Sequence, residues 1–117
     1  MKEEEFLTPK LRECLEDCQE TAEFCLGTLR RCLSLGGAFT ESSLLTDLSV
    51  CAGLCQTTAA AILLGSSQQV AIRAACGDAC GACASTCEAR KEHFLRDCAA
   101  VCRACAETCR DDDVSAA

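Results

Sequence analysis

An all-α fold, an antiparallel four-helix bundle with a cysteine-lined core, is what the sequence predicts, on three observations. Cysteines recur at intervals of three, four and seven residues, no stretch alternates polar with apolar residues as a strand would, and Gly, Pro, Ser and Thr part the chain into four segments with short connections. The 117 residues suffice for one modest core, so residues 1–117 are read as a single domain, too short for a multidomain enzyme.

Thr8-Pro9 opens the first helix, about 9–35: Thr caps, and Pro sits where its missing N–H costs nothing. Gly36-Gly37 closes it. Ala38 to Ser43 form the link, with Thr40 or Ser42 as the next cap, and the second helix runs over about 42–64 to stop at Gly65. Ser66 with Gln69 three residues on reads as a capping box for a third helix, about 67–89.

The next boundary is poorly marked. Glu88 to Asp97 holds no Gly or Pro, and steps of 4, 3 and 4 from Cys87 pass Lys91 and Phe94 to reach Cys98 in phase. Gln68 to Arg110 could thus be one rod of ~65 Å at 1.5 Å per residue. A rod would leave its thiol face unburied, so a turn is expected near Arg90 to His93, with a fourth helix over about 93–110. Asp111 to Ala117 reads as a frayed acidic tail.

The last two helices repeat. Cys76-Gly-Asp-Ala-Cys80-Gly-Ala-Cys83-Ala-Ser-Thr-Cys87 and Cys98-Ala-Ala-Val-Cys102-Arg-Ala-Cys105-Ala-Glu-Thr-Cys109 share C-x3-C-x-A-C-A-x-T-C at an offset of 22, and Cys14 to Thr21 is echoed faintly by Cys51 to Thr58. Spacings of 4, 7, 7 in the first helix, 4 in the second and 4, 3, 4 in each of the others put every helix's cysteines on one face. Glu, Arg, Lys and Gln occupy the other faces, so the cysteine face is the buried one.

Composition excludes several functions. With 11 Lys and Arg against 18 Asp and Glu, the net charge is −7, and neither a basic patch nor an aromatic platform exists for nucleic acid. Anionic membrane would repel such a surface, and the longest apolar run, Ala59 to Leu64, is far short of the ~20 residues of a span. Met1 to Lys10 lacks the basic, apolar and small-residue regions of a secretory leader, which sets the expectation of a cytoplasmic protein with reduced thiols.

Fourteen cysteines in 117 residues exceed the ~8–10% at which cysteine dominates a chain, and so many in phase are not explained as small core hydrophobes. Residues at i and i+4 have Cβ atoms about 5–6 Å apart, whereas a disulfide needs about 3.8 Å. A metal suits the spacing, since two metal–sulfur bonds of about 2.3 Å span ~4.6 Å. All-thiolate coordination selects Cu(I), zinc or iron–sulfur clusters. Zinc wants a closed tetrahedron from chain that wraps around it, whereas straight helices spread thiols along a tube, as many low-coordinate Cu(I) ions in a row require. Cu(I) held by two private thiolates leaves a costly net negative charge in the core. One ion per bridging thiolate is neutral, so filling is expected to progress from seven private pairs towards about one ion per cysteine.

Other motif matches fail on context. Cys76-x3-Cys80-x2-Cys83 and Cys98-x3-Cys102-x2-Cys105 fit the cluster motif of radical S-adenosylmethionine enzymes, but the chain is too short for their barrel. Cys80-Gly-Ala-Cys83 and Cys102-Arg-Ala-Cys105 fit a redox C-x2-C but lie mid-helix. A ferredoxin site needs looped spacing and a trailing Pro, and the only Pro is Pro9. His93 reads as a solvated turn residue, or alternatively as an uptake ligand at the bundle end. No catalytic constellation is visible, so no enzyme is expected; the alternative function is a thiol-redox, persulfide-handling or iron–sulfur-binding helical protein.

The doubled motif at Cys76–Cys87 and Cys98–Cys109, with Leu48-x2-Cys51-Ala-x-Leu-Cys55-x2-Thr58-Ala59-Ala60-x2-Leu63-Leu64-Gly65-Ser66, resembles the cysteine-rich four-helix-bundle copper storage proteins of bacteria over nearly the whole chain. The resemblance implies an antiparallel bundle that stores many Cu(I) ions, often as a homotetramer, in the cytosolic branch of the family. It implies as metal ligands Cys14, Cys18, Cys25, Cys32, Cys51, Cys55, Cys76, Cys80, Cys83, Cys87, Cys98, Cys102, Cys105 and Cys109. Copper would arrive from small thiol complexes or a copper chaperone. The first helix is thinner in cysteine than the family pattern, and Ile62 stands where the first helix has Cys25, so one end of the tube is expected to be apolar. The family's His-rich turn is reduced to His93.

Overall fold

The computed structural model describes residues 7–110. Among them are four α-helices: α1 (Pro9–Leu35), α2 (Ser42–Leu64), α3 (Gln69–Glu88) and α4 (His93–Arg110), with a 3-10 turn at Gly37–Thr40. The expected acidic tail, residues 111–117, lies outside the described residues. Each helix packs on its two sequence or ring neighbours, α4 closing back on α1, in an up-down-up-down bundle.

The helix ends show which local signals act. Thr8 caps α1, its Oγ1 accepting from the Leu11 N–H at 3.1 Å. Gly36 and Gly37 take φ of 69° and 56°, which a Cβ would disfavour, so the chain leaves α1 sharply. Gly65 ends α2 in the left-handed region, with the Ser66 N–H bonded back to the Ala61 carbonyl at 2.9 Å. Two expected caps differ. Neither Thr40 nor Ser42 caps α2; Glu41 holds that position without a side-chain bond, and Thr40 Oγ1 donates to the Gly37 carbonyl at 2.8 Å, stabilising the 3-10 turn. The Ser66–Gln69 box does not form either. Ser66 Oγ accepts from the Gln68 N–H at 3.0 Å, and Gln69 Oε1 accepts from Arg73 Nε at 2.9 Å, a partner one turn along its own helix.

The chain breaks between α3 and α4 at Ala89 to Glu92, close to the expected turn, and so folds one thiol face back on the other. Paired Thr–Asp bonds hold the helices in register. Thr86 Oγ1 donates to Asp47 across α3 and α2, and Thr108 Oγ1 to Asp17 across α4 and α1, both at 2.6 Å. Gly77 and Gly81 leave a trough on α3 in which Arg110 lies, donating from Nη2 to the Gly77 carbonyl at 3.0 Å; a Cβ on Gly77 would come within 2.9 Å of Arg110 Cγ.

By length and composition α2 is apolar enough to cross a membrane, its one charged residue being Asp47. In the bundle its Leu44, Leu48, Cys51, Cys55 and Ile62 side is buried against the core.

Candidate metal centre

All fourteen cysteines are buried and unbridged. Thirteen have no exposed surface and Cys109 has 3%. Small thiols allow the helices to approach so closely that even diagonal pairs meet: Cys51 of α2 lies 3.9 Å from Cys102 of α4, and Cys55 lies 4.0 Å from Cys105, Sγ to Sγ.

The shortest sulfur contacts run between helices rather than within one. Cys25–Cys102 and Cys51–Cys80 stand at 3.5 Å, and Cys55 is 3.7 Å from both Cys76 and Cys80. The C-x3-C pairs Cys76–Cys80 and Cys105–Cys109 stand at 4.0 Å. The sequence pattern marked the in-helix pairs; facing helices supply a closer set. Trigonal coordination with metal–sulfur bonds of about 2.3 Å sets neighbouring sulfurs about 4 Å apart. The thiols already stand near that spacing, and a linear dithiolate needs only a small rotation of side chains.

Three quartets have all their sulfurs within 4.8 Å of one another: Cys18, Cys76, Cys105 and Cys109; Cys25, Cys83, Cys98 and Cys102; and Cys55, Cys76, Cys80 and Cys105. Each draws on three helices, and Cys76 and Cys105 belong to two quartets. Outside them, Cys14 touches Cys109 at 3.9 Å, Cys51 bridges Cys25 at 3.8 Å and Cys80, and Cys87 bonds Cys83 and Cys98. Cys32 makes no sulfur–sulfur hydrogen bond.

Proton affinities follow these contacts. The Cys102 thiol beside Cys51 and Cys98 holds both below the usual thiol range, as Cys105 does for Cys76. The same partners push others up, Cys105 acting on Cys55 and Cys80 and Cys102 on Cys83. A thiolate that accepts from neighbouring thiols is stabilised, and the donors keep their protons. At one end Cys14 is lowered to about 4, first by Cys109, then by Cys18, with the Arg73 guanidinium adding to it. Against the lowering bond from Cys83, the bond from Cys98 and burial push Cys87 up to about 12, and burial, with Cys98 adding to it, raises Cys32 against the nearby Arg90 and Arg31.

Arg73 did not emerge from the motifs. It is 2% exposed and donates from Nη1 to the Cys109 carbonyl at 3.4 Å, a fixed cation at the Cys14–Cys109 end. Its position three residues before Cys76 puts it on the cysteine face, and that phase was the available signal. His93, the first residue of α4, is exposed. Ile62 is buried at the Cys14–Cys109 end, while the opposite end of the core is made by Leu44, Leu48 and Leu95. Apolar side chains thus close both ends rather than one.

A four-helix bundle threaded by contiguous buried thiols has donors for several soft metal ions. The chain belongs to the copper storage protein family, whose model matches residues 7–113. Solved structures agree. A protein of Nitrosospira multiformis is 32% identical with a TM-score of 0.82, over 92% of this chain and 95% of that one. A Cu(I)-bound copper storage protein is 28% identical with a TM-score of 0.82, over 86% of this chain and 95% of that one. The apo form of copper storage protein 3 from Bacillus subtilis is 28% identical with a TM-score of 0.78, over 85% and 94% of the two chains. No curated protein matches the chain.

Proposed function

We propose that this chain binds and stores multiple Cu(I) ions through its fourteen cysteine thiolates. The observation that carries the reading is the continuous sulfur network, in which two quartets share Cys76 and Cys105. Shared sulfurs let one thiolate bridge two ions, so added copper neutralises the core instead of charging it. Each ion displaces thiol protons, and filling cross-links three or four helices at once. The role is sequestration rather than catalysis.

Copper comes from small thiol complexes or a copper chaperone by ligand exchange. A reducing cytoplasm suits fourteen unbridged thiols. We read the assembly as a homotetramer joined in part through α2, whose exposed Val50, Leu63 and Leu64 form a face with little charge on a chain of net charge −7. Two acidic copies repel least there.

Anaerobic Cu(I) titration of the reduced protein against a strong chromogenic chelator tests the reading. The expected capacity is about 7–14 ions per chain, from private pairs to bridging thiolates. Saturation at one or two ions overturns it. Light scattering tests the tetramer, which a monomer mass would refute.

A further inference from the structure

A groove of about 330 Å³ lies on the outside of the bundle between α1 and α4, within the size range of small-ligand clefts. Its walls carry Glu23, Phe24 and Arg31 from α1 and Phe94 and Asp97 from α4, over a floor of buried Thr28. Gly27 keeps it open, for nothing lies within 4 Å of where its Cβ would stand.

The groove carries charges of both signs, on exposed side chains. Arg31 lies over the Phe94 ring, its guanidinium carbon 4.3 Å from the centroid, which fixes the fork in place. Among the described residues, neither Arg31 nor Glu23 nor Asp97 has an ion-pair partner, so opposite charges line one groove too far apart to satisfy each other. A ligand with a cationic and an anionic group would satisfy both.

The groove also sits over the thiol core. Thr28 lies between Cys25 and Cys32 on α1, and Phe94 is one turn before Cys98 on α4. Beneath, Cys25 Sγ is 3.9 Å from Cys98 and 3.5 Å from Cys102.

We infer that this groove docks the copper donor, a small thiol bearing an α-ammonium and an α-carboxylate, and that copper passes through the α1–α4 seam. The inference rests on the storage reading and adds where, and from which chemical class, copper is received. Arg31 takes the carboxylate as a fork, and Glu23 and Asp97 take the ammonium. In the exchange the carrier's Cu–S bond breaks as a Cu–S bond to Cys25 forms. The proton of that protein thiol passes to the departing carrier thiolate, and copper stays Cu(I) throughout, so no oxidant or reductant is needed.

Stopped-flow uptake under anaerobic conditions tests this, with Cu(I) supplied either as its cysteine complex or as its mercaptoethanol complex, which lacks both charged groups. Arg31→Gln and Asp97→Asn should each slow uptake from the cysteine complex by about tenfold, the loss of one charge-assisted contact. Uptake from the mercaptoethanol complex and total capacity should stay unchanged, and Arg31→Lys should restore part of the rate. Equal slowing with both carriers, or none with either, overturns the inference. Should a variant fold poorly, S-methylcysteine titrated into the copper-free wild-type protein gives an independent reading. It should shift the amide resonances of Gly27 and Thr28, and their indifference at millimolar concentration overturns the docking site. Failure of the storage reading looks different, as a capacity of one or two ions whichever carrier is used.

Discussion

Where α1 begins and α4 finishes, Cys14, Cys18, Cys105 and Cys109 stand 3.8–4.0 Å from their sulfur partners, with Arg73 beside them. Where α1 finishes and α4 begins, Cys32 is buried as completely but has no hydrogen-bonded sulfur. That end is filled by Leu44, Leu48 and Leu95 and covered by Phe39 against Phe94, ring centroids 5.7 Å apart. The same four helices build both ends, so the difference comes from what they present across the core, leucines of α2 and α4 at one end and sulfurs at the other. Cys25, seven residues from its neighbours on either side, still meets Cys51, Cys98 and Cys102 at 3.5–3.9 Å because facing helices supply those sulfurs, and Cys32 is met by none. The expected consequence is that capacity follows sulfur continuity rather than cysteine count.

The largest test of that contrast sets Cys105→Ala against Cys32→Ala. Cys105 serves two quartets, so its loss should remove about two ions from the anaerobic titration, whereas losing Cys32, outside every quartet, should remove at most one. Equal losses would show that continuity does not govern capacity. Next comes Leu48→Ala at the leucine end, expected to destabilise the copper-free bundle by about 2–5 kcal/mol in urea melts while leaving copper capacity intact. Loss of copper there would mean that the leucine end shapes the metal core.

Proton linkage sharpens the comparison further. Cys87 in the folded chain holds its proton up to about 12, against an ordinary value of 9.0. Between those values the unfolded chain releases a proton that the folded chain keeps, so the stability that Cys87 contributes is full below pH 9 and is lost from pH 9 to 12. Melting temperature against pH checks the sign. Copper-loaded protein should escape this loss, because ligated sulfurs carry no proton to release. The smallest effect belongs to the register bonds: Thr108→Val, which removes the bond to Asp17, should cost about 1 kcal/mol and no copper.

Much of this was legible in the sequence because helical periodicity is a local property. The steps of 3 and 4 fixed the buried face of each helix, Thr8-Pro9 and Gly36-Gly37 fixed the bounds of α1, and burial of the thiol face required a turn that fell at Ala89 to Glu92. The caps at Ser66 and Thr40 were misjudged, since a side chain with several partners in reach takes the one that the turn geometry presents. Which sulfurs meet could not be read from spacing. The Cys25–Cys102 and Cys51–Cys80 contacts depend on the axial offset and rotation of facing helices, set by packing across the whole bundle. Sequence determined that the core would be sulfur, because periodicity assigns residues to faces; tertiary structure alone decided which sulfurs stand together, because that is a distance between helices.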